Sequence, residues 1–441
     1  MKFIKLFFAL FIFNTSYSQF NFEKIFIDQG TLLNNETAYG DFDKNGEDDI
    51  IVTSYPGGEV NIYFQYNKVF TKKNILNGLT QPSTLIVSDF NKDGTLDFVI
   101  TYKPNGNMYT YLNDGSGENF TQKLSSNPGG SVPVAEASFD INKDGYLDLI
   151  LGYAPSGIRM LINKKDGTFE RYNVSTTIQR PGDLVVVDFN KDNRMDIVAT
   201  SFFGNELTIF WGNGANIPIF VAESIDKNLI SPNGCEVSDI DNDGINEILV
   251  SEFGADKLLY YAYDGALFWK YEIDNNIRKP TSINVQDLNK DGFKDIVCYG
   301  QEDSVIKVFT TKNQGSSFES YTLDDTNDCN AWMTFVDWDK DNDVDIIVPC
   351  KTSLMYFENK VATSSNKDLS YFEISIYPNP VDQSLNIQCE GFISCKIVDL
   401  TGRVVLESNS SDINVSYVQS GLYTIVVKTN LGEVIKKLSK I

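Results

Sequence analysis

An acidic segment of nine residues recurs seven times in the 441-residue chain and carries the side chains best suited to chemistry. The copies begin at Asp41, Asp89, Asp140, Asp188, Asp239, Asp287 and Asp337. Positions 1, 3, 5 and 9 hold Asp, Asn or Glu, and position 6 is Gly in five of the seven copies. Oxygens at alternate residues around a sharp turn, followed by a carboxylate that can bind through both oxygens, make a cage for a hard cation. A cage of about six to eight oxygens suits Ca²⁺ better than Mg²⁺.

The sequence therefore predicts up to seven structural calcium ions, each held by the side chains of positions 1, 3, 5 and 9 and by the carbonyl of position 7. The predicted side-chain ligands are Asp41, Asp43, Asn45, Asp49, Asp89, Asn91, Asp93, Asp97, Asp140, Asn142, Asp144, Asp148, Asp188, Asn190, Asp192, Asp196, Asp239, Asp241, Asp243, Glu247, Asp287, Asn289, Asp291, Asp295, Asp337, Asp339, Asp341 and Asp345. Asn193 and Asn342 replace Gly at position 6, where Asn best tolerates a positive φ.

Two alternatives to a calcium loop of this kind are an EF-hand and a hairpin turn without metal. An EF-hand needs Glu at position 12, but Val52 and Ile100 stand there in the first two copies. The segments are also compatible with hairpin turns that Asx hydrogen bonds stabilise without a metal. The many clustered carboxylates would then repel one another without neutralisation, which favours the metal.

Composition excludes several classes of function. The chain has 60 Asp and Glu against 37 Lys and Arg, a formal charge of −23, so nucleic acid is not expected as a partner. It contains no histidine, which excludes Ser-His-Asp and Cys-His catalysis and every histidine metal site. No set of residues forms a convincing catalytic constellation, so a binding role is expected rather than an enzyme.

The repeat has a period near fifty residues, which is typical of a repeat architecture. Each acidic segment lies between two short apolar runs, for example Leu85–Val87 and Phe98–Ile100, and two further strands follow. Four strands in each of seven units predict an all-β fold, a seven-bladed β-propeller. The seventh unit lacks its fourth strand, and residues 22–27 match that strand, so the N-terminal strand is expected to close the ring.

These repeats resemble the FG-GAP/VCBS family, the calcium-loop propeller repeats also found in the head of integrin α chains. The resemblance covers residues 20 to about 360 and rests on the seven acidic segments in register. It implies one of three functions: an adhesion head, a carbohydrate-binding module or, as in some bacterial and fungal proteins, the scaffold of a polysaccharide lyase. The fold alone does not choose among these functions.

The termini predict export. Residues 1–18 have the order of a signal peptide: a basic start, the apolar run Leu6–Phe13, and small residues before cleavage at Gln19. The propeller is assigned to residues 19–360 and a polar linker to residues 361–370, and no membrane span is expected in the mature protein. Among the six cysteines, bridges between Cys389 and Cys395 and between Cys329 and Cys350 are plausible.

Residues 371–441 are predicted to form a small β-sandwich of short strands. They resemble the type A C-terminal sorting domain of the type IX secretion system through Tyr377-Pro378-Asn379-Pro380, the segment 399–404, Gly421-Leu422-Tyr423 and the basic pair Lys436-Lys437. The resemblance implies transport across an outer membrane by the type IX machinery and then release or surface anchoring. An ordinary fibronectin-like binding module is the alternative.

A ligand-binding face is predicted opposite the acidic loops, where the turns after the second strands meet the connections between blades. Its candidate residues are Tyr55, Tyr102, Tyr153, Arg180, Phe203, Phe253, Lys279 and Tyr299. Aromatic rings with polar neighbours suit the apolar faces of sugars, although such rings also pack blade interfaces. The expected function is a secreted or cell-surface module that binds an extracellular glycan. A polysaccharide-active enzyme of the lyase type and a protein-binding scaffold are the alternatives.

Overall fold

The computed structural model describes residues 20–30, 36–55, 57–103, 105–126, 132–312, 315–325, 332–360, 375–389, 391–399, 403–429 and 432–441. Within these ranges the chain forms strands and loops and no helix that could span a membrane. Two compact units are distinguished, one ending at Val361 and one beginning at Ala362. The predicted signal peptide, residues 1–18, and the predicted linker lie outside the described residues.

The described residues of the first unit form 28 strands. In chain order they are β1 (Phe22–Gln29), β2 (Thr37–Gly40), β3 (Asp49–Ser54), β4 (Glu59–Tyr66), β5 (Val69–Leu76), β6 (Pro82–Ser88), β7 (Asp97–Tyr102), β8 (Met108–Asn113), β9 (Phe120–Ser126), β10 (Val132–Phe139), β11 (Asp148–Ala154), β12 (Ser156–Asn163), β13 (Phe169–Gln179), β14 (Pro181–Val187), β15 (Asp196–Ser201), β16 (Glu206–Gly212), β17 (Phe220–Asp226), β18 (Pro232–Ser238), β19 (Glu247–Glu252), β20 (Lys257–Tyr263), β21 (Phe268–Asp274), β22 (Pro280–Gln286), β23 (Asp295–Gly300), β24 (Val305–Lys312), β25 (Ser317–Asp324), β26 (Thr334–Val336), β27 (Asp345–Pro349) and β28 (Ser353–Asn359).

These strands form seven four-stranded antiparallel sheets, the blades of a propeller. Blades one to six follow chain order, from β2–β5 to β22–β25, and blade seven has the order β1-β28-β27-β26. The innermost strands of consecutive blades contact one another, β2 with β6, β6 with β10 and onward to β22. Each acidic loop joins the first and second strands of a blade, so all seven loops lie at the same end of the ring.

The second strand of each blade is the most deeply buried element. Every residue of β3, β15, β19 and β23 is buried, because neighbouring blades cover both faces of the sheet. Near-continuous β-branched and aliphatic runs suit a strand covered on both faces. The runs that follow each acidic segment in the sequence are therefore the core of the propeller.

The predicted closure of the ring is confirmed. The N-terminal strand β1 pairs antiparallel with β28, from Phe22 opposite Asn359 to Gln29 opposite Ser353. An ion pair joins β1 to blade six, since Lys24 Nζ lies 3.1 Å from both carboxylate oxygens of Asp324. Blade seven thus contains both ends of the propeller sequence and has no missing edge strand.

Replacement of Lys24 by Gln is expected to lower the free energy of unfolding by about 1 to 2 kcal/mol, because Asp324 is buried and loses a charged partner. Chemical denaturation followed by tyrosine and tryptophan fluorescence would measure the change. Lys227→Gln is the matched control, since the Lys227–Glu206 pair spans 4.0 Å at the surface. Equal stabilities of the two variants would contradict a role of this ion pair in closure.

In the part of the second unit that the structure describes, seven strands are present: β29 (Ser375–Tyr377), β30 (Ser384–Gln388), β31 (Phe392–Asp399), β32 (Val404–Ser408), β33 (Asp412–Asn414), β34 (Gly421–Thr429) and β35 (Gly432–Lys440). They form two sheets, β29-β30-β33 and β32-β31-β34-β35. Buried side chains from both sheets share one core that includes Leu385, Ile397 and Ile425. This arrangement agrees with the predicted small β domain.

The predicted bridge between Cys389 and Cys395 is wrong, because both thiols are free. Cys395 is buried in the core of its domain and Cys389 is only partly buried. Cys235, Cys298 and Cys350 are also free and buried, and each thiol packs as a small apolar side chain. Cys329, the proposed partner of Cys350, lies outside the described residues.

Candidate metal centres and ligand-binding face

All seven acidic loops share one backbone conformation. Position 4 has φ between 55° and 62° in every loop, at Lys44, Lys92, Lys143, Lys191, Asn242, Lys290 and Lys340. Position 6 is also left-handed, at Gly46, Gly94, Gly145, Asn193, Gly244, Gly292 and Asn342. The expectation that Asn replaces Gly at a positive φ is confirmed, with φ of 64° at Asn193 and 71° at Asn342.

The carboxylate at position 1 stabilises the turn by accepting hydrogen bonds from backbone N–H groups of the same loop. In the second loop, Asp89 Oδ1 accepts the N–H of Asp93 at 3.1 Å and Oδ2 accepts the N–H of Gly94 at 2.8 Å. Asp140 and Asp287 accept the equivalent pairs in their loops. Backbone N–H groups hold these carboxylates in place without a side-chain cation.

The carboxylate at position 9 is buried in every loop. Asp97 Oδ2 accepts the N–H of Phe90 at 3.1 Å, and its Oδ1 accepts the N–H of Asn113 at 2.9 Å. Asp49, Asp148, Asp196 and Asp345 make the same two bonds. Position 9 therefore joins the acidic loop to the end of the third strand of its own blade.

Carboxylate oxygens converge most closely in the first, fifth and seventh loops. In each of these loops, one carboxylate oxygen from each of three residues lies within 4.8 Å of the other two. The three sets are Asp41, Asp43 and Asp49; Asp239, Asp241 and Glu247; and Asp337, Asp339 and Asp341. These three loops have Asp at position 3, whereas the other four have Asn there. The clustered oxygens are the hard donors that Ca²⁺ prefers.

The electrostatics of these sites also fit a cation. Burial, together with the carboxylates of Asp291 and Asp287, raises the pKa of Asp295 to about 8. Burial together with nearby carboxylates likewise raises the pKa of Asp49 to about 7 and that of Glu247 to about 8. A bound divalent ion would reverse this balance by stabilising the charged carboxylates.

Several buried oxygens of the acidic loops have no hydrogen-bond partner within the described ranges. They are Oδ1 of Asp239, Asp295, Asp337 and Asp339, and both side-chain oxygens of Asp343. Unpaired buried oxygens cost free energy unless another ligand satisfies them. The residues therefore fit calcium, which would be held by positions 1, 3, 5 and 9 and would neutralise their charge.

Sequence reasoning missed three kinds of residue at these centres. Asp343, at position 7 of the last loop, is buried, and its pKa is raised to about 8 by burial and by Asp341.

The second kind is an Asn that contacts the acidic loop of the preceding blade. Asn113 Nδ2 donates to the carbonyl of Phe42, in that loop, at 2.9 Å. Asn163 and Asn359 make the same contact with Phe90 and Leu288. The signal was the Asn that ends the third strand in blades two, three and seven.

The position 4 side chains connect neighbouring loops, which is the third missed feature. Lys340 Nζ donates to the carbonyl of Gly46 at 3.2 Å across the closure of the ring. Asn242 Nδ2 donates to the carbonyl of Gly292 at 2.8 Å, and Lys191 bonds the carbonyl of Gly244. Lys stands at position 4 in six of the seven loops, so its recurrence was the available signal.

The predicted ligand face lies at the opposite end of the blades, and its aromatic residues differ in exposure. Tyr153 is 1% exposed and Tyr299 is 4% exposed, so both rings pack within the core. The hydroxyl groups of Tyr102 and Tyr111 are hydrogen-bonded at 2.7 Å. Phe203, in contrast, is 63% exposed.

The cations of this face stack on its aromatic rings. The guanidinium carbon of Arg180 lies 4.3 Å from the ring centre of Phe202 and 5.4 Å from that of Phe203. Lys279 Nζ lies 5.3 Å from the ring centre of Phe253. Lys103, which is not among the residues predicted for this face, lies with its Nζ 4.5 Å from the ring centre of Tyr55. Such contacts hold long cationic side chains in place.

Two adjoining cavities lie at this end of the ring of innermost strands, a region called the channel mouth below. One has a volume of about 210 Å³ and includes Asp183 and Tyr299 in its lining. The other has a volume of about 150 Å³ and includes Lys103. Arg180 and Trp332 line both cavities. Of the eight predicted ligand-binding residues, Arg180 and Tyr299 thus reach the cavities.

The FG-GAP-like repeat family matches six overlapping segments of the chain: 41–100, 89–151, 140–199, 188–250, 239–298 and 287–348. Each match begins at an acidic loop and ends within the second strand of the next blade. The chain belongs to the FG-GAP-like repeat family. The secretion system C-terminal sorting domain matches residues 375–440 of this FG-GAP protein, which confirms the second resemblance. The sorting domain directs the protein through type IX secretion to the cell surface or the extracellular space.

Solved structures share the fold at low sequence identity. A complex of BBS1N with ARL6DN, soaked with lead, contains a chain that is 12% identical, with a TM-score of 0.54; the match covers 78% of this chain and 98% of the other. A lectin from Agrocybe aegerita that recognises non-reducing terminal N-acetylglucosamine is 17% identical, with a TM-score of 0.48, over 67% of this chain and 82% of the lectin. No curated protein sequence matches the FG-GAP chain significantly.

Proposed function

We propose that this secreted FG-GAP propeller is a calcium-stabilised module that binds an extracellular glycan at the channel mouth. The observation that carries the proposal is the mixed lining of the two cavities. Arg180 offers a planar donor, Gln301 adds a polar residue to the lining, and Trp332, which is 42% exposed, offers an apolar face. Sugars are bound by this combination of hydrogen-bonding groups and aromatic rings.

The proposed role of calcium is structural. The acidic loops lie at the end of the propeller opposite the cavities, and their oxygens are directed into the loops. Extracellular modules bind calcium with dissociation constants of about 10⁻⁴ to 10⁻³ M, which suits permanent occupancy in a calcium-rich medium. Calcium would then support the ligand face by holding the blades together.

A glycan array probed with the full exported chain in millimolar calcium tests this proposal. We expect binding to a defined class of glycan, and we expect EDTA to weaken that binding through loss of the fold. Release of reducing ends from any bound glycan would identify the enzymatic alternative. A blank array from protein that remains folded would contradict glycan binding.

A protein-binding scaffold is the second candidate, and exposed apolar residues on blades four and five favour it. Ile219 is 69% exposed and Val221 is 66% exposed at the start of the outer strand of blade four. Leu267 and Trp269 are exposed at the corresponding place in blade five. Replacement of Val221 and Trp269 by Ser should leave glycan binding unchanged if the ligand occupies the channel mouth.

A further inference from the structure

We propose that Arg180 and Lys103 form a binding site for the acidic group, a carboxylate or a sulfate, of an anionic glycan. The inference rests on the proposed glycan-binding function and specifies the class of sugar that the channel mouth accepts. It is carried by two cations that share one cavity and form no ion pair with a carboxylate of the described residues.

Arg180 and Lys103 differ from the other cations of this face. Neither has a carboxylate within ion-pair distance among the residues that the structure describes. Lys279 is the equivalent of Arg180 in another connection between blades, since each residue directly precedes a proline. Lys279, however, forms an ion pair with Asp256 at 3.7 Å. Arg278 pairs with Glu302 at 2.5 Å. In a chain with a formal charge of −23, two unpaired cations that line one cavity indicate an anionic ligand.

The two cations are placed before any ligand arrives. Arg180 has a positive φ of 43°, and its N–H donates to the carbonyl of Pro155 at 2.7 Å while its own carbonyl accepts the N–H of Phe202 at 2.9 Å. The guanidinium group then rests on Phe202, and the ammonium group of Lys103 rests on Tyr55. A preorganised pair of donors reduces the entropy that ligand binding must overcome.

The cations are also close enough to repel each other. Burial lowers the pKa of Lys103, Glu36 opposes this effect, and Arg180 lowers the pKa further. Burial lowers the pKa of Arg180 as well. An anion between the two groups would relieve this repulsion, because each cation would gain a charged partner.

The carboxylates of the channel mouth are occupied by the backbone. Glu36 accepts the N–H groups of Thr84, at 3.1 Å, and Leu85 in the next blade. Asp183 accepts the N–H groups of Leu184 at 2.8 Å and Cys235 at 3.2 Å, and so joins blade four to blade five. These two groups serve the blade interfaces and leave the cations available for a ligand.

Glu136 is the remaining carboxyl group of the smaller cavity. Burial raises its pKa well above the ordinary value, and the neighbouring Glu36 raises it further. Burial and Glu36 thus both disfavour the charged form of Glu136, which lessens its repulsion of an anion bound at Arg180 and Lys103.

The dimensions of the site suit a single sugar residue. The cavities of about 210 and 150 Å³ adjoin through Arg180 and Trp332. Together they reach the lower end of the range for ligand pockets, which begins near ~300 Å³. Trp332 provides a surface for the sugar ring while its acidic group meets Arg180 and Lys103.

Calorimetric titration of the full exported chain in millimolar calcium tests the inference. The probes are oligomers of galacturonate, of alginate and of chondroitin sulfate, and the methyl ester of the galacturonate oligomer is the neutral partner. Arg180→Gln and Lys103→Gln are each expected to weaken binding of the acidic probe at least about tenfold, the loss typical of a charged hydrogen bond. Lys279→Gln is the matched control and should bind as the unmodified chain does.

The outcomes separate the inference from the proposed function. Binding of an acidic oligomer that both variants lose, with unchanged melting temperatures, supports the site, and the carboxylate and sulfate probes identify the acidic group. Binding of neutral glycans only, or of acidic ones without loss in either variant, overturns the inference and leaves glycan binding intact. A folded chain that binds no glycan overturns both. If Arg180→Gln does not fold, Lys103→Gln and Arg180→Lys still test the site.

Discussion

Chelation of calcium is expected to lower the midpoint of thermal unfolding of the propeller by about ten degrees or more. In about 10 mM calcium, which is ten to a hundred times a dissociation constant of about 10⁻³ to 10⁻⁴ M, each filled site contributes about 1.4 to 2.7 kcal/mol to the folded state. Several such sites therefore contribute on the order of 10 kcal/mol. Without the ion, the buried carboxylate of position 9 is repelled by the other carboxylates of its loop, as the raised pKa values of Asp49, Glu247 and Asp295 indicate.

Scanning calorimetry of the full chain, with millimolar calcium or with EDTA, would measure this effect. The second unit supplies an internal control, because it carries none of the seven acidic segments and its transition should not move. Magnesium in place of calcium should restore little stability, since it prefers a smaller octahedral set of ligands. Superimposable melts with calcium and with EDTA would contradict the calcium assignment.

Hydrogen exchange should show that the stability lost on calcium chelation is lost at the contacts between blades. Asn113 and Asn163 hold the backbone of the preceding acidic loop, and Lys340 holds Gly46 across the closure. A loop that loses its ion therefore releases a neighbouring blade as well as its own. We expect faster exchange on both sides of each emptied loop, not only within it.

The architecture was predictable because its signals are local and repeated. The Asp residues at fixed spacing, the Gly or Asn at position 6 and the β-branched run after each loop recur seven times. Recurrence defines the blades even where one copy departs from the pattern. The apolar pattern of residues 22–27 also sufficed to predict the strand that closes the ring, which the pairing of β1 with β28 confirms.

The channel mouth was less predictable because it joins residues that are distant in sequence. Glu36, Lys103, Glu136 and Arg180 come from different blades, and no local pattern relates them. Arg180 was selected for its place in a connection between blades, whereas Lys103 was not selected. Tyr153 was selected for its ring, yet its burial at 1% exposure depends on the neighbouring strands. The repeat period of a propeller is therefore easier to predict from sequence than the residues of different blades that meet near its axis.

The position 9 carboxylates provide the second large expected effect. Asp97→Ala is expected to lower the free energy of unfolding in calcium by about 3 to 5 kcal/mol, because it removes a proposed calcium ligand and leaves two buried N–H groups unpaired. Asp114→Ala is the control, since Asp114 is exposed and bonds only within its own turn. Chemical denaturation of both variants would measure the difference.

The same variant separates the two roles of Asp97. In calcium it loses both the metal and the hydrogen bonds to Phe90 and Asn113. In EDTA the unmodified chain already lacks the metal, and its buried carboxylate is disfavoured, since burial and the carboxylates of Asp93 and Asp89 raise the pKa of Asp97 to about 6. Replacement should therefore cost less in EDTA than in calcium. An equal cost in both conditions would assign Asp97 to the hydrogen bonds alone and remove it from the set of calcium ligands.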